Sequence, residues 1–459
     1  MFTPAQLQAF LAAHPSVNRY WVGVSGGLDS VALLHAMVSL NLPQPVQVLH
    51  VNHGLSPHAD SWQAEVHALC QALGVACITE TVTVDKTGTG VEDAAREARY
   101  RIFATHIQVG HALLLGHHRD DQAETLMYRL LRGSGPQGLA AMPAARKLGQ
   151  GQLLRPLLNT SRAELARYAA EQQLRWVNDE SNQDVSFDRN YLRHQVLPVV
   201  SERWPQASLR LAESARWCGE ATELLRERAA EDLAAADSRL EDFGGNLRLA
   251  SLAVLSPARR RNLLRHWLRV LGLPAPGGAH MVQVDEQFFG DVSEGELHRR
   301  EVCWPGCVLR VYQGRLYALA KTASWEPETN QPAMPWPDPH TPLLLPGGDR
   351  LRWQQAGIGE GLAAKWLNKP WQVCWRQGGE RSHPMGRGHS QTVKKLLQEY
   401  QLPLWLRARV PLLMVDGQLA AVADLWVDEA FRTPPEQPGY CCLWQLTAAP
   451  TADATAISD

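Results

Sequence analysis

Six consecutive residues, Ser25-Gly26-Gly27-Leu28-Asp29-Ser30, put two glycines, two hydroxyls and one carboxylate in a single turn of chain. An apolar run, Tyr20 to Val24, precedes them, and a helical pattern, Ser30 to Leu40, comes after. Glycines let a backbone approach phosphate closely, and free N–H groups at a helix start attract anions. The hydroxyls of Ser25 and Ser30 add donors. The kinase-type P-loop ends in Gly-Lys-Ser/Thr, and no lysine stands here. Asp29 occupies the turn instead, and a carboxylate can hold Mg²⁺ against phosphates. The pattern therefore suits ATP chemistry in which pyrophosphate leaves and AMP goes to the substrate. Its bland reading is a helix cap after a glycine turn.

A second concentration is Gly116-His117-His118-Arg119-Asp120-Asp121-Gln122-Ala123-Glu124-Thr125. Helical spacing would place His117, Asp121 and Glu124 on one face. Two carboxylates beside an imidazole suit a bound ammonium, a metal or proton transfer. The competing reading is a solvated first turn, where acids are favoured anyway.

Other chemistries find less support. The eight cysteines form no C-x-x-C pair, which argues against zinc ribbons and iron–sulfur sites and for reduced thiols of a cytoplasmic protein. No apolar run reaches the roughly 18 residues of a membrane span, and the first 21 residues read as a short helix rather than a signal peptide. The formal net charge of −2 does not advertise a nucleic-acid binder. A local patch does: Arg376 to Arg409 holds seven Lys or Arg against two acids.

Strands alternating with helices must position these residues. The pattern predicts strands at Tyr20–Val24, Val46–Val51, Ala76–Val84 and Leu113–Gly116. It predicts helices at Ser30–Leu40, Ser61–Leu73, Val91–Val109 and Asp120–Arg132. Such alternation implies an α/β, doubly wound parallel sheet, with ligands at the carboxyl ends of its strands. Both motifs fall at such ends, as do His53 and Gly54. Ser161 and Glu164 form a capping box. Helices are expected over Asp188–Val200, Gln206–Ala236, Pro257–Leu271 and Ser390–Tyr400, and hairpins turn at Gln313-Gly314 and Asp416-Gly417. Ser324 to Pro342 carries six prolines and reads as a linker, and the tail from Thr447 as disordered.

The first motif resembles the S-G-G-x-D-S loop of the ATP-pyrophosphatase superfamily, and the second the H-H-x-x-D-Q-x-E-T segment of the tRNA(Ile)-lysidine synthase family. Further stretches extend the second likeness. They are Ala95-Arg96-Glu97-Ala98-Arg99-Tyr100, the loop from Arg132 to Leu139, Arg155-Pro156-Leu157-Leu158, Asn178 to Asn182, and Asp188-Arg189-Asn190 with Arg193. In the C-terminal part the likeness runs through Arg376, Gly379-Glu380-Arg381, Gly386-Arg387 and Val393-Lys394-Lys395.

The resemblance implies an adenine nucleotide α-hydrolase-like N-terminal domain at 1–215 and a helical/α+β middle domain at 216–325. A linker at 326–352, a small α+β C-terminal domain at 353–446 and a tail at 447–459 would complete the chain. It implies an ATP- and Mg²⁺-dependent ligase acting on free L-lysine and a CAU-anticodon tRNA(Ile), with homodimers among its members. It assigns ATP to Ser25, Gly26, Gly27, Leu28, Asp29 and Ser30, with the metal on Asp29. Lysine would go to Arg99, Asp121 and Glu124, and catalysis to Asp29, His117 and Asp121. Arg132, Arg376, Arg381, Arg387, Lys394 and Lys395 would meet tRNA. A tRNA thiolation enzyme on the same scaffold would need paired cysteines, and a non-catalytic relative would not need Asp29, Asp121 and Glu124 intact.

Overall fold

The computed structural model describes residues 2–54, 56–82, 91–241, 244–291, 294–320, 327–328 and 331–446. The tail at 447–459 and the last two positions of the expected strand Ala76–Val84 lie outside them. The chain divides into two compact units, Met1–Leu224 and Leu225–Asp459.

The first unit opens with α1 (Pro4–Ala12) and alternates β1 (Arg19–Gly23), α2 (Leu28–Ser39), β2 (Val46–Asn52), α3 (Ala59–Ala72), β3 (Ala76–Thr81), α4 (Val91–His106), β4 (His111–Leu115) and α5 (Arg119–Leu131). A short α6 (Pro136–Leu139), the pair β5 (Ala145–Leu148) and β6 (Gly151–Leu154), and α7 (Arg162–Glu171) come next. The sheet order is β3-β2-β1-β4-β6-β5. Its first five strands pair in parallel and β5 closes the edge antiparallel to β6. Each face is covered. Val22, Val48, Leu114 and Leu154 pack with α2 and α7 residues such as Leu33 and Leu165. Trp21, Leu49, Leu113 and Leu153 pack with Tyr100 and Phe103 of α4 on the other. Alternate strand residues thus feed opposite cores, which makes central strands apolar throughout. The doubly wound expectation holds.

Beyond α7, α8 (Asp188–Tyr191) passes through a π-helical turn at Leu192–Val196 into α9 (Leu197–Arg203). The 29-residue α10 (Ala207–Ala235) then leads into the second unit.

There, β7 (Arg239–Glu241), β8 (Gly244–Arg248), β9 (Glu301–Trp304), β10 (Cys307–Tyr312) and β11 (Arg315–Ala320) form one sheet. α11 (Leu249–Ala253), α12 (Pro257–Val270), α13 (Gly278–Phe289) and α14 (Glu294–Leu297) accompany it. The β10–β11 turn has positive φ at both Gln313 and Gly314, the conformation a two-residue hairpin favours.

The stretch expected as a Pro-rich linker is instead partly built into sheets. Met334–Trp336 forms β12, Leu343–Leu344 forms β13, and Trp336 and Leu345 are buried in a core. β12 pairs with β15 (Trp371–Cys374), and β13 with β14 (Arg350–Ile358). Pro335 is tolerated because β12 is an edge strand. The helix expected from Ser390 begins three residues later. Gln391–Thr392 form β17 and pair with β16 (Arg381–Ser382), so α15 runs from Val393 to Glu399. β18 (Leu412–Val415) and β19 (Gln418–Val422) make the second hairpin, β20 (Trp426–Val427) extends that sheet, and β21 (Pro438–Gln445) pairs with β14.

Candidate functional site

The loop between β1 and α2 is held from three sides. Gly26 takes φ +92°, and its carbonyl accepts the N–H of Val177 at 2.9 Å. The Ser30 hydroxyl donates to the Gly27 carbonyl at 2.9 Å and accepts the Ser25 N–H at 3.2 Å, folding the loop onto the first turn of α2. At the end of β1 the Val24 carbonyl accepts Nδ1–H of buried His50 at 2.7 Å. Burial keeps the His50 pKa below the ordinary histidine value. Asp29 stands in the first turn of α2 with Oδ1 buried and, among the described residues, without a hydrogen-bond partner.

β4 ends beside this turn. His118, not His117, caps α5, with extended backbone at φ −123° and ψ −179°. The expectation of His117 on the helix face therefore fails: it precedes the helix. Its Nδ1 accepts Nε–H of buried Arg155 at 3.3 Å. Burial first, then the charges of Arg155, Arg189 and Arg96, hold its pKa well below the ordinary value against the pull of Asp121. With Nδ1 accepting, the neutral ring carries its proton on Nε2.

His118 is fully buried and sits among carboxylates. Its Nε2 lies 3.6 Å from Oδ2 of Asp29 and 3.4 Å from Oδ2 of Asp121, and its Nδ1 3.6 Å from Asp120. Burial would lower its pKa, but the hydrogen bond to Asp29 and the charges of Asp121, Asp29 and Asp120 outweigh that and raise it.

Asp121 and Glu124 do share a face of α5, and both are buried. That face is held by two guanidinium groups. Arg189 donates to Asp121 Oδ1 at 2.9 Å and Glu124 Oε2 at 3.0 Å. Arg193 donates to Glu124 Oε1 at 2.6 Å and Oε2 at 2.9 Å, and to Asp121 Oδ1 at 3.0 Å. Burial would raise the Asp121 pKa, but the charges of His118 and Arg189 and the His118 backbone N–H hold it far below the usual carboxylate range. Arg189 and Arg193 lie four apart on α8 and its π-helical extension, the spacing that puts two side chains on one face.

Of the other expected residues, Arg99 lies on α4, where its charge acts on His53. Burial first, then Arg99 and His50, bring His53 down to about 4. Arg132, at the end of α5, is exposed and stacks over Tyr128 at 5.2 Å. In the second unit Arg381 on β16 donates to the Ser390 carbonyl at 2.7 Å, Arg387 pairs with Glu399 of α15, and Arg376 donates to the Arg407 carbonyl at 3.2 Å. Lys394 and Lys395 stand exposed on the first turn of α15. Arg381, Arg387, Lys394 and Lys395 thus lie on the β16–β17 ribbon and α15, and Arg376 lies between β15 and β16.

Asp29 fits a divalent cation: a lone carboxylate oxygen without a hydrogen-bond partner, beside a phosphate-type turn, is what Mg²⁺ uses when substrate oxygens and water complete its shell. Among the described residues no group of three or more His, Cys, Asp or Glu gathers to hold a metal by itself.

A PP-loop domain model matches residues 3–200, a TilS substrate binding domain model 247–317 and a TilS substrate C-terminal domain model 371–444. The tRNA(Ile)-lysidine synthase of Alkalilimnicola ehrlichii is 41% identical over 95% of this chain and 96% of its own. That of Pseudomonas syringae pv. tomato is 42% identical over 92% of each. The chain belongs to the tRNA(Ile)-lysidine synthase family. It is thus an enzyme of the ligase class. A solved structure, the U34-tRNA thiolase NcsA from Methanococcus maripaludis, aligns over 47% of this chain and 77% of its own at 14% identity, with a TM-score of 0.40. No described helix is long and apolar enough to cross a membrane.

Proposed function

We propose that this tRNA(Ile)-lysidine synthase family member joins the ε-amine of free L-lysine to C2 of the wobble cytidine in a CAU-anticodon tRNA(Ile), consuming ATP. The C2 carbonyl oxygen attacks the α-phosphorus, and the bond to pyrophosphate breaks. The ε-amine then forms a bond to C2, loses a proton, and AMP leaves with the former carbonyl oxygen. The product is lysidine, which turns a methionine-type anticodon into an isoleucine-type one.

Ser25, Gly26, Gly27, Leu28 and Ser30 form the turn that cradles the departing pyrophosphate, using backbone and hydroxyl donors. Asp29 would hold Mg²⁺, which when bound neutralises charge on the phosphates. His117 orients rather than accepts a proton, because its free nitrogen is a donor. Asp121 and Glu124 take the amine of lysine and Arg99 its carboxylate, a two-point clamp for a zwitterion. To seat there, the ammonium displaces guanidinium contacts of Arg189 and Arg193. Residues 1–215 carry the chemistry. The 216–325 and 353–446 domains hold tRNA phosphates, through Arg376, Arg381, Arg387, Lys394 and Lys395 in the latter, joined by Arg132 of the catalytic domain.

One observation supports this reading above others: the phosphate-type turn and the acidic face of α5 meet on a single buried ring, His118, at the carboxyl ends of adjacent strands β1 and β4. An ATP site and an amine site that close together suit adenylation followed by displacement. Pyrophosphate release should require ATP, tRNA and lysine together. Release supported by ammonia or a sulfur donor in place of lysine would reject the proposal.

A further inference from the structure

Asp29 and Asp121 belong to different tasks in the reaction proposed above, yet they contact the same nitrogen. Asp121 N–H approaches His118 Nδ1 at 3.4 Å, so the neutral ring accepts there and carries its proton on Nε2. A protonated ring turns its additional N–H toward Asp120, 3.6 Å away. In both charge states Nε2 keeps its hydrogen and lies at ion-pair distance from two carboxylates, 3.6 Å from Oδ2 of Asp29 and 3.4 Å from Oδ2 of Asp121. The ring is 1% exposed, so no water layer screens these contacts. One N–H faces two carboxylates, and it can bond fully to only one of them.

We propose that His118 is a positioning residue whose single Nε2–H couples occupancy of the nucleotide–metal site at Asp29 to occupancy of the amino-acid site at Asp121. The inference rests on the functional reading given above. A Mg²⁺–nucleotide held by Asp29 would draw that carboxylate's charge and leave the Nε2–H of His118 to Asp121. That hydrogen bond competes for Asp121 with the substrate ammonium and loosens it. Without nucleotide the Nε2–H is shared with Asp29, as the distances of 3.6 and 3.4 Å show, so Asp121 yields less to it and holds an amine more firmly. His118 thereby relaxes the grip on lysine when an activated tRNA is forming, and restores it for the next substrate. Linkage makes the effect reciprocal: lysine must weaken nucleotide binding through the same ring by the same factor.

The test is calorimetric and needs no turnover. The dissociation constant of L-lysine is measured on the full chain with and without the magnesium complex of a non-hydrolysable ATP analogue. The ratio of the two constants is compared between the native chain, H118N and H118Q. Asparagine keeps a side-chain acceptor for the α5 cap but is too short to span both carboxylates. Glutamine puts a donor near the place of Nε2. The expected result is a ratio that falls roughly five-fold or more in H118N and stays near native in H118Q. Should H118Q fail to fold, shown by thermal melting, the comparison of H118N with the native chain still decides. An unchanged ratio in folded H118N overturns the coupling. Absence of any lysine binding to the native chain, with or without nucleotide, instead overturns the functional reading on which it stands.

Discussion

Gly116 stands directly against the backbone of Asp29. A methyl group at Gly116 would lie 2.9 Å from the Asp29 carbonyl oxygen, 3.0 Å from its carbon and 3.1 Å from the Ser30 nitrogen. These are backbone atoms of the first turn of α2, which cannot rotate away as a side chain can. Gly116→Ala should therefore push the phosphate-type turn off its position. The expected cost is about 1–3 kcal/mol of stability from overpacking. Catalytic efficiency should fall on the order of 100-fold, because small displacements of a reacting group are costly. Activity and melting temperature at native levels would show that the turn tolerates the shift.

Asp29 should be indispensable for a different reason. Among the described residues its Oδ1 has no hydrogen-bond partner and its Oδ2 meets His118, so its removal leaves little structural debt. Asp29→Ala should keep the circular dichroism spectrum and the cooperative melt while ATP-dependent turnover falls roughly 100-fold or more, the loss expected for one preorganised charge contact. Turnover close to native in that variant would remove Asp29 from the mechanism.

Glu124 carries both a structural and a proposed binding duty. Its oxygens accept three hydrogen bonds from Arg189 and Arg193. Glu124→Gln keeps the shape and removes the charge. The lysine KM should rise about ten-fold, the loss of a charge-assisted bond, and the melting temperature should drop because two guanidinium groups lose half their compensation. A lowered melting temperature with an unaltered lysine KM would leave Glu124 as an anchor for α8 alone.

The parts of this site that the sequence disclosed are those written contiguously. Ser25 to Ser30 concentrate glycine, hydroxyl and acid between a strand and a helix, so both conformation and chemistry are local. Asp121 and Glu124 are legible from helical spacing. His117 and His118 are identical in type and adjacent, and only the extended backbone at His118 decides which one caps α5 and turns inward. The pairing of Asp121 and Glu124 with Arg189 and Arg193 spans more than sixty residues of chain, and no periodicity reports it. Among elements, β5 and β6 are four residues each, too short for an alternation to register. Pro335 misled for a related reason: proline marks loops locally, but an edge position is a property of the assembled sheet.

The cap of α7 offers a pH test. Burial would raise the Glu164 pKa, but the backbone N–H and hydroxyl of Ser161, 2.9 and 2.7 Å from Oε2, outweigh it and bring it from 4.5 to about 2. The folded value lies below the unfolded one. The carboxylate therefore stabilises fully above pH 4.5 and loses its contribution as pH falls through about 2. Ser161→Ala should cost about 1 kcal/mol at neutral pH, and urea melts should show that cost shrinking as pH falls below 4.5. A cost that stays constant across the window would assign the cap to the hydroxyl alone.

Lys394 and Lys395 test the nucleic-acid side. Both are exposed at the start of α15, and Lys395 comes no nearer than 4.0 Å to Glu399, one turn further along the helix. A solvated face and a phosphate grip predict different responses to salt. Each phosphate neutralised releases condensed counterions, so affinity falls with salt at a slope set by the number of contacts. Lys394→Ala combined with Lys395→Ala should weaken tRNA binding and flatten the plot of log affinity against log salt by about 1.5–2 units. Lysine KM and ATP-analogue affinity should hold, since both proposed sites lie in the first unit. A slope identical to the native chain would place the pair on a surface that tRNA does not touch, and would return the search for the phosphate contact to Arg376, Arg381 and Arg387.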